Sequence, residues 1–360
     1  MRPTTEADLA EAIAAATAPL LVRGGGTRTI GQAVGDVLET GGLTGVALYE
    51  PGALTLVVRA GTPVAEVERV LAADRQRLAF EVPDLRGLLG REGVSTIGGV
   101  VAANASGPRR VQVGAARDAL LGVRFVDGSG TVIKNGGRVM KNVTGYDLVK
   151  LLAGSRGTLG VLTEVSFKVQ ALPEAEATLV IGGLGDEAGL AALRQALGSP
   201  FDISGAARHS GQSLIRVEGM AGSVAYRLDR LRALVGGDVE VAEAAVSAAL
   251  WRDVRDVALF HDKPGEVWRI VTLPTAAAEI AGRLAGEALW DCGGGLIWLR
   301  LDHGRGAEVA AAVAGRGHAT RVRGDGGPVF PPEAPEVALL AAGLRAKFDP
   351  RGILNAGLMG

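Results

Sequence analysis

Glycine is the residue type whose spacing in this 360-residue chain points to chemistry. Four glycine-dense loops lie in its N-terminal half: residues 23–27 (Arg23-Gly24-Gly25-Gly26-Thr27), 96–107, 141–145 and 154–160. Glycine reaches positive φ at little steric cost and lets a ligand approach with no Cβ in the way. Successive backbone N–H groups in such turns form concave anion sites. Each N–H that donates to a phosphate makes a charge-assisted hydrogen bond, roughly 1.5–3 kcal/mol net. One loop of this kind reads as a tight turn, but four in one half of a chain predict a large anionic cofactor held on several sides. No Walker motif is present, and residues 23–27 lack the spacing of a dinucleotide fingerprint. A loose match, Gly183-Leu184-Gly185-Asp186-Glu187-Ala188, stands outside the glycine-dense half and reads as a turn.

A second set of residues carries charge. His318 lies in Gly317-His318-Ala319-Thr320-Arg321, with Arg323 beyond it. Arginine forks pair bidentately with carboxylates, so His318 and Arg321 form a candidate substrate cluster. The other reading is a surface strand end in an arginine-rich protein, since lysine supplies only 6 of the 38 basic residues. Arg109 and Arg110 follow the second glycine loop. Contact with substrate, phosphate or a partner subunit is one reading of them, and a structural salt bridge is the other. His261, before Asp262-Lys263-Pro264, reads as an exposed loop residue. The single cysteine, Cys292, excludes a disulfide framework and a cysteine zinc cluster, and four histidines leave little for a metal site, so none is expected.

The elements that must position these residues can be read from pattern. Thr5 with Asp8 predicts an N-cap and a helix over residues 6–17. Strands are expected at 20–22, 47–49 and 54–59. Thr62-Pro63 reads as an N-cap with proline at the first helical position, followed by a helix over 64–73. Gly128-Ser129-Gly130 predicts a hairpin joining 121–127 to 131–134. A short helix at 146–152 and a long strand at 160–169 follow, and Leu172-Pro173-Glu174 is the best boundary. Beyond it, strand-like and helix-like runs alternate at 178–181, 187–197, 201–208, 213–218 and 224–235. A second round runs through 266–272, 275–289, 295–301, 307–314 and 318–321. This rhythm predicts an antiparallel sheet with helices on one face. Four prolines between 328 and 335 read as an extended loop, and a last helix over 335–348 is stopped by Pro350.

Composition narrows the class. Glycine is 54 of 360 residues, about twice its usual share. Hydrophobic residues are 48% and charged residues 21%, which excludes a disordered chain. A formal charge of -1 offers no global field for nucleic acid or an anionic membrane, so no nucleic-acid partner is expected. The N-terminus has no signal-peptide core, and no run approaches about 18 apolar residues. A cytoplasmic protein is expected, with any membrane association made through partner subunits rather than by direct insertion.

The loops carry a resemblance. Pro19-Leu20-Leu21-Val22-Arg23-Gly24-Gly25-Gly26-Thr27 resembles the pyrophosphate loop of the vanillyl-alcohol-oxidase-type, or PCMH-type, FAD-binding domain. The run from Ser95 through Thr96, Gly98, Gly99, Ala102, Ala103 and Ser106 to Gly107 is similar to that family's second flavin segment. The run from Gly145 through Gly154, Gly157 and Gly160 to Val161 and Thr163 is similar to its third. The tail Phe348-Asp349-Pro350-Arg351-Gly352-Ile353-Leu354-Asn355 is similar to its closing motif. Val139-Met140-Lys141-Asn142-Val143-Thr144-Gly145-Tyr146-Asp147, Gly107-Pro108-Arg109-Arg110, Ile203-Ser204-Gly205, Arg216-Val217-Glu218-Gly219 and Trp268-Arg269-Ile270 narrow the resemblance to FAD-binding subunits of bacterial glycolate oxidases, from about residue 19 to the C-terminus.

The resemblance implies an α+β fold: a PCMH-type FAD-binding domain of two α+β subdomains, plus an antiparallel-sheet cap domain with helices on one face. The divisions would be 1–173 for the FAD domain, 174–327 for the cap, and 328–360 for a segment returning to the FAD domain. FAD contacts would come from Arg23 to Thr27, Thr96, Gly98, Gly99, Ala102, Ala103, Ser106, Gly107, Gly157, Gly160, Val161 and Asn355. The first histidine is His209, in the cap, so FAD is expected to be non-covalent.

Two departures stand out. Ala356 replaces the proline that usually follows the closing asparagine. The paired cap histidines of catalytic 2-hydroxy-acid members are absent, since His303 and His318 are fifteen residues apart. The implied function is oxidation of glycolate, or another small 2-hydroxy acid, by hydride transfer to FAD. Electrons would leave through an iron–sulfur subunit beside a catalytic flavoprotein paralogue. His318, or a carboxylate not identified by pattern, would take the hydroxyl proton. The alternative is a non-catalytic FAD-holding or electron-relay subunit. The intact glycine loops argue against a flavin-free interaction protein that has kept only the fold.

Overall fold

The computed structural model describes residues 1–138 and 145–359, so residues 139–144, which begin the motif at 139–147 and make up most of the glycine loop at 141–145, lie outside the described residues. The chain opens with the helix Glu6–Ala15. Thr5 accepts from the Asp8 N–H and Asp8 accepts from the Thr5 N–H, a complete capping box. Leu9 and Ile13 bury that helix against Leu20, Leu38 and Val161. The strand Leu20–Arg23 then pairs in parallel with Asp36–Glu39.

A larger antiparallel sheet follows, in the order Val46–Glu50, Thr55–Arg59, Val161–Ala171, Leu120–Val126, Val132–Gly136. Gln76–Leu78 joins the far end of Val161–Ala171. The helix Val64–Ala73 packs on this sheet through Val64, Val67 and Leu71. Its expected cap differs. The helix spans the residues expected, but Pro63 occupies the cap position and the Thr62 hydroxyl accepts from the Gly45 N–H instead.

The second large sheet has eight antiparallel strands. Its order begins Asp238–Glu243, Ala175–Gly182, Gln212–Gly219, Gly205–His209 and continues Glu287–Asp291, Leu296–Leu301, Glu266–Thr272, Gly317–Arg323. The helices Asp186–Leu197, Ala221–Leu234, Ala277–Leu284 and Gly306–Val313 cover its outer face, burying Leu193, Leu231, Ile280 and Val309. The helix Ala244–Asp256 lies on the inner face with Trp251 and Val254, beside Leu88 and Ile30 of the N-terminal part. The chain thus has the expected α+β architecture, with one further helix wedged between its two halves.

The run 275–289 does not form one element. Its helix stops at Leu284, Ala285 turns left-handed with φ 47°, and the strand Glu287–Asp291 begins. A Cβ on Gly286 would stand 2.8 Å from the Arg300 carbonyl oxygen, so only glycine lets the chain enter the sheet there. Among the described residues, no helix is long and apolar enough to cross a membrane.

A buried ionic network joins the halves. Glu81 and Arg109 come from the N-terminal part, and Arg77 from Gln76–Leu78. Arg216 and Glu218 come from the inner face of Gln212–Gly219. Glu218 receives Arg77 Nη1 at 2.6 Å and Arg109 Nε at 2.9 Å. Glu81 receives Arg216 Nη1 at 2.8 Å and the Arg109 backbone N–H at 2.6 Å. Arg216 also lies 4.6 Å from the Trp251 ring centroid. Burial opposes ionisation of both carboxyls, but the arginines outweigh it and hold them below the usual range.

Replacing Glu218 by Gln strands buried cations, so Glu218→Gln is expected to cost about 3–5 kcal/mol in denaturant unfolding. The native carboxyls titrate below their unfolded value of about 4.3. Their contribution is therefore complete above that pH and is lost as pH falls toward the native pKa. The variant should show a shallower loss of stability than the parent between about pH 5 and 3.

Candidate functional site

Three glycine loops and the C-terminal tail meet in one cleft of about 670 Å³, within the range of roughly 300–1,000 Å³ that ligand sites occupy. The first loop leaves the strand Leu20–Arg23 and is locked against residues 93–96. A Cβ on Gly25 would coincide with the Val94 carbonyl oxygen, and one on Gly24 would stand 2.5 Å from Thr96 Oγ1. Gly26 has φ +70°. No acceptor among the described residues takes the backbone N–H of Gly25, Gly26 or Thr27, so these donors remain for a ligand. Arg28, buried beside them, donates to Ser95 Oγ and the Pro83 carbonyl, both at 2.6 Å, and burial pulls its pKa to about 10.

The second loop opens the helix Ile97–Ala102. Thr96 caps it by accepting from the Gly99 N–H. Gly98 donates to the Ala60 carbonyl at 2.7 Å, and a Cβ there would stand 2.7 Å from that oxygen. The third loop is tied to this helix by Gly154 N–H to the Val101 carbonyl and Arg156 N–H to the Ala102 carbonyl. Asn355 closes the arrangement. Its Oδ1 accepts from the Val22 N–H and its Nδ2 donates to the Arg156 carbonyl, each at 2.7 Å. Its own N–H donates to the Leu20 carbonyl at 2.9 Å. Gly157, at φ +77°, leaves room for that side-chain amide.

Of the expected cofactor residues, Arg23 to Thr27, Thr96, Gly98, Gly99, Ala102, Ala103, Gly157 and Asn355 line this cleft. Four do not. Ser106 Oγ accepts from the Ala116 N–H, and Gly107 packs against Glu81 and Arg255. Gly160 faces the Phe125 ring, and Val161 is in the core with Leu9 and Ile13.

The charged candidates separate. His318 and Thr320 share the inner face with Arg269 and Val271, whereas Arg321 pairs with Trp268 on the outer face. His318 and Arg321 therefore do not converge. Arg321 donates to the Asp325 and Gly327 carbonyls at 2.9 and 2.6 Å, and its N–H donates to the Val329 carbonyl. Burial, then the Arg269 charge, lowers the His318 pKa. Arg109 belongs to the buried network, which settles its two readings in favour of the salt bridge. His261 is half-buried over Gly87, with Nε2 2.9 Å from the Asp256 carbonyl oxygen, and is not the exposed loop residue expected.

Sequence reasoning did not single out the side chains of Arg156 and Arg269, or Asp291. Burial pulls Arg156 to about 10 and pushes Asp291 up to about 6. Burial, then the charge of Arg110, takes Arg269 to about 10. The available signal was a lone cation inside an apolar run, Val267-Trp268-Arg269-Ile270-Val271, and another inside a glycine loop.

Residues 1–136 match a family described as FAD binding domain. The glycolate oxidase subunit GlcE of Escherichia coli (strain K12) is 36% identical over 345 residues, covering 95% of this chain and 92% of that protein. The glycolate oxidase subunit GlcD of Bacillus subtilis (strain 168) is 34% identical over 166 residues, covering 45% of this chain and 34% of that protein. A D-lactate dehydrogenase of Archaeoglobus fulgidus is 34% identical over 155 residues, covering 42% and 33%. An alkyldihydroxyacetonephosphate synthase structure superposes with a TM-score of 0.72 at 15% identity, over 99% of this chain and 76% of that one, which is a likeness of fold. These findings bear out the resemblance read from the loop motifs.

Gly25→Val cannot be built without moving residues 93–96, and it is expected to lower the flavin absorbance retained on purification at least tenfold. Gly52→Ala, in open space outside the cleft, should leave flavin content unchanged and shift stability by less than about 0.5 kcal/mol.

Proposed function

The chain belongs to the family of the glycolate oxidase subunit GlcE, with FAD as its cofactor, and from that premise we propose that it is the FAD-binding subunit of a glycolate-oxidising complex. The observation that carries the reading is the convergence of three glycine loops and Asn355 on one cleft with unspent backbone donors. When bound, FAD supplies the hydride acceptor for oxidation of a 2-hydroxy acid to the 2-oxo acid, and the protein supplies position and electrostatics.

The chain's own residues divide the remaining work. Gly25, Gly26 and Thr27 offer their N–H groups to the phosphates. Asn355 holds the first and third loops at a fixed separation. The cap sheet, anchored by Arg216 and Glu218, covers the reacting region and excludes water. His318 stands on the inner face of that sheet as the acceptor of the substrate hydroxyl proton. Its lowered pKa keeps it neutral, and so able to accept a proton, at pH 7. Arg321 acts at a remove, by holding residues 325–329 against the strand end. The electrons would pass to an iron–sulfur subunit of the complex, with a catalytic flavoprotein paralogue beside it.

A second reading, that the chain holds FAD without oxidising substrate, is favoured by the placement of His318 and Arg321 on opposite faces of their strand. Anaerobic glycolate added to the purified, FAD-loaded chain separates the two. Bleaching of the flavin band is expected, and His318→Gln should slow it by about 10²–10⁴-fold with flavin content unchanged. A band that stays oxidised in the isolated chain and bleaches only in the assembled complex would favour the second reading.

A further inference from the structure

The last helix, Pro335–Phe348, buries none of its 14 residues. It is attached at its C-terminal end, where Phe348 packs on the core of the N-terminal part with its ring centroid 6.0 Å from that of Phe125. Along the rest of the helix, apolar side chains face solvent. Leu339 is 75% exposed, Leu340 71%, Val337 50% and Leu344 40%. A single exposed leucine needs no explanation, but several together on one helix mark a binding face.

The pattern on that face determines what fits it. Glu336, Leu340, Gly343 and Lys347 are all exposed and are spaced four, three and four residues apart, the spacing of a helix–helix seam. The series is symmetric about the midpoint between Ala341 and Ala342. Two copies of the helix laid antiparallel about a two-fold axis at that point set Glu336 opposite Lys347 of the second copy, and Leu340 opposite its Gly343. Each contact then occurs twice, as a two-fold interface requires. Opposite charges meet at both ends, and a large side chain meets a notch in the middle. Val337, Leu339 and Leu344 flank the seam. A parallel pairing would instead set Glu336 against Glu336 and Lys347 against Lys347.

Two features of the chain itself agree. Glu336 and Lys347 carry exposed charges, and neither forms an ion pair among the described residues. Glycine inside a helix costs roughly 0.5–1 kcal/mol against alanine. Yet a Cβ on Gly343 would meet nothing within 4 Å, and its φ is not positive, so the chain's own packing does not call for glycine there. A second helix in close approach does.

We propose that the outer face of Pro335–Phe348 is a self-association surface, on which a second copy of this chain docks helix to helix in antiparallel register. One face of a helix about 21 Å long offers less than the roughly 800 Å² per partner of a standard interface, so the dimer is a weak one.

Sedimentation equilibrium of the full-length chain measures the association, and far-ultraviolet circular dichroism of each sample reports that the fold is kept. The parent is expected to dimerise with a Kd on the order of 10 µM. Leu340→Asp should weaken dimerisation roughly tenfold or more, because it places a carboxylate in the seam. Glu336→Lys and Lys347→Glu should each weaken it about three- to tenfold, since either change sets like charges against each other at both ends. Mixing these two variants puts opposite charges back at both ends, and the mixture should recover the affinity of the parent. The charge variants decide the matter if Leu340→Asp does not fold. A parent that stays monomeric, a Leu340→Asp chain that dimerises like the parent, or charge variants that do not recover on mixing would overturn the proposal. A parent that is monomeric alone and needs Leu340 only to bind a different subunit would also overturn it, by assigning the face to that subunit.

Discussion

The eight-stranded sheet is held against the N-terminal part by a buried cluster of charge. Glu81 and Glu218 sit on opposite sides of the junction, Arg109 and Arg216 each reach both, and Arg77 pairs with Glu218. Removing five charged side chains from water is expensive, and ion pairing offsets that cost only where geometry is good. Apolar side chains would bind the halves together at least as strongly, but with less orientational constraint. Here bidentate arginines fix which face of the strand Gln212–Gly219 turns inward. Because the eight strands form one sheet, that choice also brings Arg269 and His318 to the inner face, several strands away.

The cleft depends on a second constraint, close backbone packing. The loop at Gly24 to Thr27 and the segment at residues 93–96 touch main chain to main chain, so glycine is a steric requirement there as well as a conformational one. Asn355 adds a third tie. A residue near the C-terminus completes the hydrogen bonding of both the first strand and the third loop. Arg351 reinforces this return by donating to the carbonyls of Ile13 and Gly128. The cleft is thus lined by segments far apart in sequence.

Much of this was legible in the chain itself. Thr5 with Asp8 declared its helix, because a capping box is local chemistry. The glycine loops declared a cofactor, because their density exceeds what turns need. Local pattern failed where tertiary contact decided the outcome. Thr62 looked like a cap but satisfies Gly45 across a loop. Residues 275–289 carried helical periodicity through a strand whose entry is set by Gly286 against Arg300 and Leu301. The strand Asp238–Glu243 and the inner helix Ala244–Asp256 escaped notice because the strand is an edge strand with a largely exposed pattern, and no glycine or proline marks the turn at Ala244. The ionic network was out of reach for a plainer reason: Arg216 and Glu81 are 135 residues apart, and no spacing rule connects them.

A crystal structure of the chain reconstituted with FAD tests the central claim most directly, namely that the glycine loops hold the cofactor beneath the anchored cap. The pyrophosphate is expected within hydrogen-bond distance of the N–H groups of Gly25, Gly26 and Thr27, with the ring system under the inner face that carries Arg269 and His318. Phosphates bound elsewhere, with those N–H groups facing only water, would contradict it.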